Sequence, residues 1–77
     1  MYYDIEFSTH HPDMRIYARD MESAARKASK YMRRPSSPVC IVGTEVKFAT
    51  PTVSRAWEAT DLMGYVGTIL VSPSEVQ

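Results

Sequence analysis

Two adjacent histidines, His10 and His11, stand just ahead of Asp13. Neighbouring loop residues can turn toward one metal ion, but a structural zinc takes four protein ligands and a catalytic one three. Cys40 and the remaining acids fall at no ligand spacing, so a polar turn is the plainer reading and no metal is expected. Cys40 with either histidine would formally make a thiol–imidazole nucleophile pair. It lies, however, in the apolar run Val39-Cys40-Ile41-Val42, where a thiol reads as a small buried hydrophobe. Gly64-Tyr65-Val66-Gly67 is too short for a phosphate-cradling loop and no helical pattern follows it. No pair of carboxylates stands out for acid–base work. The expectation is a protein that is not an enzyme and takes no cofactor.

The elements that must position any site belong to a short chain. Its 77 residues carry nine Lys+Arg against nine Asp+Glu, enough for a single small domain over 1–77. A core of this size rarely yields more than about 3–5 kcal/mol net, so a partner or a homodimer would add stability. An enclosed ligand pocket of about 300–1,000 Å³ would consume much of such a core. The aliphatic run at 39–42 is far below the roughly 20 residues of a membrane span, so no membrane role is expected. The opening Tyr2-Tyr3-Asp4-Ile5-Glu6 lacks the basic and apolar regions of a signal peptide. With one cysteine, no intrachain disulfide can form, and a cytoplasmic location in a host cell is expected.

Residues 2–8 alternate, with Tyr3, Ile5 and Phe7 on one side and Tyr2, Asp4 and Glu6 on the other; that predicts a half-buried strand. Residues 9–13 form a turn around Pro12. Residues 14–19 alternate again, Met14, Ile16 and Ala18 inward and Arg15, Tyr17 and Arg19 outward. Parity requires facing residues to sum to an odd number, because a one-residue slip turns the wrong face inward. A sum of 21 sets Glu6 opposite Arg15; a sum of 23 sets Asp4 opposite Arg19.

Asp20 is a good N-cap for a helix whose stripe is Met21, Ala24, Ala25, Ala28, Tyr31 and Met32. Pro35 predicts its end near Arg33. Beyond the loop at 34–38, residues 39–42 and 45–50 read as two strands joined by a II′ turn at Gly43-Thr44, or as one long bulged strand. Residues 52–63 are ambiguous: Val53, Ala56, Trp57 and Met63 fit a short helix ending at Gly64, while Val53, Arg55, Trp57 and Ala59 also fit a strand, and the helix is slightly preferred. Residues 65–72 make a last strand. The expected fold is α+β: an antiparallel-rich sheet with one amphipathic helix packed on one face, in the order ββαββ(α)β.

Two surfaces could bind a macromolecule. Residues 15–34 hold seven basic and two acidic residues, whereas residues 1–14 and 35–77 are net acidic, so a net charge of zero conceals a polarised molecule. The helix face of Arg26, Lys27, Lys30, Arg33 and Arg34 could track phosphates, or simply be solvated and complement the helix dipole. The outward side of the first hairpin offers Tyr2, Asp4, Glu6, Arg15, Tyr17 and Arg19, and tyrosine and arginine dominate interface hot spots. Tight binding of duplex DNA by the protein alone is not expected.

The strand ending Ile16-Tyr17-Ala18-Arg19, the helix Met21-Glu22-Ser23-Ala24-Ala25-Arg26-Lys27-Ala28-Ser29-Lys30-Tyr31 and the following run at 39–42 resemble small phage-encoded inhibitors of host machinery. That group includes anti-CRISPR proteins and the small phage inhibitor of host RNA polymerase. The resemblance covers roughly residues 14–42 and transfers no individual functional residue. It implies a non-catalytic protein that blocks a host nucleoprotein complex, such as one built on a Cas subunit, by occluding a protein or nucleic-acid-binding surface. The alternative from the residues themselves is a small nucleic-acid-binding or regulatory domain using the basic helix.

Overall fold

The computed structural model describes residues 1–34, 37, 39–47 and 53–77. Its elements are β1 (Tyr2–Phe7), β2 (Met14–Tyr17), α1 (Met21–Met32), β3 (Cys40–Val46), β4 (Arg55–Asp61) and β5 (Gly64–Pro73). The five strands form one antiparallel sheet in the order β2-β1-β5-β4-β3. Since β2 and β3 are opposite edges, the connection through α1 must cross the sheet, and the helix contacts every strand. Ala24, Ala25 and Ala28 are fully buried, and their small side chains let the helix axis lie close to the strands. Under them sit Tyr3, Ile5, Val42, Trp57, Ala59, Ile69 and Val71, with Phe7, Met14, Ile16 and Met21 at the margins.

The α+β class, the antiparallel sheet and the amphipathic helix α1 packed on one face are as expected; several details are not. The Asp20 carboxylate caps α1, accepting the Ser23 N–H at 2.7 Å, and Arg33 is the C-cap. Tyr31 leaves the buried stripe and is 57% exposed, while Ser29 is buried in its stead. Its hydroxyl donates to the Arg26 carbonyl at 2.7 Å, which satisfies the group without a side-chain partner. The β1–β2 register sums to 19, neither 21 nor 23: Tyr2 faces Tyr17 and Asp4 faces Arg15. The parity holds, so the faces are right, but the connection is longer than a tight hairpin. Ser8 turns toward β5 through its N–H to the Thr68 carbonyl at 3.0 Å, and Glu6 and Phe7 pair with β5 alone.

Residues 40–46 are one strand with a register shift between Val42 and Glu45, which corrects the expectation of a II′ turn at Gly43-Thr44. That turn needs positive φ at its first position, and positive φ occurs at Gly64 and Gly67 but not at Gly43. Residues 48–50, part of the expected strand, lie outside the described residues. The helix expected over 52–63 is also corrected: β4 is an interior strand bonded on both sides. Met63, counted as inward in the helical pattern, is 72% exposed at the tip of the β4–β5 hairpin, where Asp61 faces Gly64 across Leu62 and Met63. The observed order is therefore ββαβββ.

Candidate interaction surfaces

With α1 on one face, no described helix or strand covers the other face of the sheet. Strand alternation and register put Tyr17 beside Tyr2, Asp4 between Arg15 and Ser72, and Glu6 in a row with Leu70, Ala56 and Val46. The Tyr2 and Tyr17 rings meet edge to face at 5.1 Å and 74°. Arg15 Nε donates to Asp4 Oδ1 at 3.1 Å. The backbone of Tyr2 makes three further hydrogen bonds: its N–H donates to Gln77 Oε1 and its carbonyl accepts from Gln77 Nε2, both at 2.9 Å, and from the Ser74 N–H at 3.0 Å. Next to this patch an apolar depression of about 300 Å³ opens over Leu70, Ala56 and Val46, with Glu6 at its rim.

Five of the six residues expected on this face are brought together; Arg19 is not. It lies past the end of β2, where its Nε bonds Ser23 Oγ at 3.2 Å and approaches Asp20 at 3.5 Å. The basic helix face is less available than its sequence implies. Arg26 is paired with Glu22 at 3.1 Å. Lys27 Nζ donates to the Tyr17 carbonyl at 2.8 Å. Ala18 and Met1 exchange backbone bonds, so the alternation of an antiparallel ladder turns the Tyr17 carbonyl off the sheet edge; Lys27 thus covers an edge position. Arg34 Nε donates to Asp61 Oδ2 at 2.8 Å. Lys30 and Arg33 are exposed at the end of α1.

Asp61 was not singled out by sequence. Its side chain is shut off from solvent, and its other oxygen accepts the Met63 N–H at 2.8 Å. Burial pushes this carboxyl up, but the Arg34 hydrogen bond, the Met63 N–H, the Arg34 charge and the Gly64 N–H together hold it below the ordinary aspartate value. The Asp20 carboxyl is likewise lowered, chiefly by the Ser23 N–H and hydroxyl. Cys40 is half-buried, and burial followed by the Asp61 charge pushes its thiol up, which opposes the thiolate a nucleophile requires. Among the described residues no group of three His, Cys, Asp or Glu side chains is placed to hold a metal, and no helix is long and apolar enough to cross a membrane.

Further grooves lie away from the centre of the sheet face opposite α1. One of about 530 Å³ runs between the start of α1 and β3–β4, lined by Asp20, Glu22, Glu45, Arg55 and Trp57. A second of about 380 Å³, where β1 parts from β2, is lined by Asp4, Glu6, Asp13 and Arg15. A third of about 340 Å³, at the C-terminal end of α1, brings together Thr9, His11, Tyr31, Met32, Arg34, Tyr65 and Val66. Comparison with known proteins finds no matching family model, no matching curated protein and no matching solved structure.

Proposed function

We propose that this is a non-enzymatic binding protein that works by laying the open face of its sheet on a macromolecular partner. The observation that carries this reading is the ordered patch of Tyr2, Tyr17, Asp4 and Arg15 on the face α1 leaves bare. Aromatic rings held before binding lose little freedom on contact, and arginine offers a planar set of donors for carboxylates or carbonyls. A standard interface takes about 800 Å² from each partner, and the whole chain exposes 5216 Å², so one face suffices and two are not needed. The resemblance over residues 14–42 supplies the partner class: a phage-encoded inhibitor of the anti-CRISPR kind, occluding a surface of a host CRISPR-Cas nucleoprotein complex. The rival role, a phosphate-tracking helix face, has weaker support because Arg26, Lys27 and Arg34 already have partners within the fold.

The test is affinity capture from host lysate with mass spectrometry, run in parallel for the natural chain and for a Tyr2→Ala, Tyr17→Ala variant. Retention of CRISPR-Cas subunits by the natural chain, at least tenfold reduced in the variant, is the expected result. Equal retention by both removes the sheet face from the reading; retention of unrelated proteins alone removes the inhibitor.

A further inference from the structure

The groove at the C-terminal end of α1 differs in chemistry from the three other concave surfaces described above. The groove by the start of α1 and the one beside β2 each have three carboxylate residues in their linings, and the sheet-face depression has Glu6. This groove has none. Its lining contains the rings of His11, Tyr31 and Tyr65, together with Arg34. Tyr31 is 57% and Tyr65 63% exposed, more than a core role would leave. The rings are nonetheless held. His11 stacks edge to face on Phe7 at 4.6 Å, its centroid lies 6.1 Å from that of Tyr31, and its Nδ1 donates to the Pro12 carbonyl at 2.7 Å. The Tyr65 hydroxyl is bonded to that of Thr68 at 2.7 Å.

Exposed, positioned aromatic faces beside cations form the chemistry that receives unstacked bases, because every base has a π-face and a phosphate behind it. The exposed cations nearest in sequence to Tyr31 are Lys30 and Arg33, outside the lining and without a carboxylate partner among the described residues. We propose that this groove binds single-stranded nucleic acid, with a base stacked among Tyr31, Tyr65 and His11 and the backbone passing Lys30 and Arg33. A duplex keeps its bases stacked internally and cannot offer them to these rings. The inference is independent of the sheet-face reading, since the two surfaces share none of these residues.

Fluorescence anisotropy with labelled oligo-dT and oligo-U of about ten nucleotides, and with a duplex of equal length, tests it at about 0.15 M salt. The single strands are expected to bind at least about tenfold more tightly than the duplex, and the two single-strand arms show whether the sugar matters. Tyr31→Ala and Tyr65→Ala each weaken binding by about five- to hundredfold, whereas Tyr31→Phe preserves it. Lys30→Ala with Arg33→Ala flattens the salt dependence by about 1.4 in log–log slope, the effect of losing two phosphate contacts on a single strand. Circular dichroism verifies that each variant is folded, as exposed positions allow. Equal binding of duplex and single strand, or binding that survives both tyrosine truncations, overturns the proposal. So does a proline-rich peptide that needs both tyrosines when the oligonucleotides do not bind.

Discussion

At the scale of single residues, the fold turns on Asp61 and Gly67. Asp61 organises a hairpin whose tip is Leu62-Met63, and Asp61 with Gly64 supplies the Asp-x-x-Gly spacing that β-turns favour. One oxygen accepts the Met63 N–H and the other accepts Arg34 from across the molecule. A carboxyl held below its ordinary value adds stability that is fully present above the unfolded-state value of about 3.9 and is lost as pH falls through the folded value. Asp61→Asn is therefore expected to melt at a lower temperature than the natural chain at pH 7. The gap should close as pH is lowered from about 5 toward 2, where the natural carboxylate is itself protonated. A gap independent of pH in thermal melts would mean that the charge of Asp61 does not matter. Gly67 is constrained by space: a Cβ there would lie 2.6 Å from Ser8 Oγ, 3.0 Å from Thr9 Cγ2 and 3.2 Å from Met32 Cε. Gly67→Ala must push apart the β1–β2 connection and the end of α1, which should cost about 1–3 kcal/mol by urea unfolding, as overpacking does.

At the scale of elements, periodicity foretold whatever buries one face and failed where burial is two-sided. The alternation of residues 2–7 and 14–17 and the alanine spacing of 24, 25 and 28 give β1, β2 and α1, because each of these elements keeps a wet side. Ala25→Asp and Ala28→Asp are expected to abolish the cooperative melt, since each buries an unpaired charge under the helix; Lys27→Ala should keep it. An unchanged melt in either aspartate variant would contradict the packing of α1. In β4, Ala56 and Trp57 are adjacent and both buried, so no single period describes the strand and a helical pattern fits equally well. The same limit applies to surfaces. Tyr2, Asp4, Glu6, Arg15 and Tyr17 share a face because alternation dictates it, whereas Arg19 departs with the extended N-cap at Asp20. The groove of Thr9, His11, Tyr31 and Tyr65 draws on three separate segments, and no local pattern announces it.

At the scale of the whole molecule, charge is separated along the chain and partly recombined in space. Residues 15–34 carry a net +5; folding sets Arg15 and Arg34 against Asp4 and Asp61 from outside that segment, and Arg19 and Arg26 against its own Asp20 and Glu22. Three of these are exposed pairs that add little to stability; their larger effect is on the field seen by a polyanion, which meets ion pairs at these positions and exposed cations at Lys30 and Arg33. Few counterions can then be released from a duplex, so its affinity should stay in the sequence-independent range, with Kd on the order of 10⁻⁴–10⁻⁶ M and falling with salt. A gel-shift or anisotropy titration of the natural chain against duplex DNA measures this directly. Saturation below micromolar protein at physiological salt would mean that the pairs open on contact and that the basic face of α1 is a duplex-binding surface. The variant Glu22→Gln separates the two cases. If the pairs persist, freeing Arg26 from its carboxylate strengthens duplex binding and steepens its salt dependence by about 0.9 in log–log slope, one phosphate contact; if they already open, the change leaves both nearly as they were.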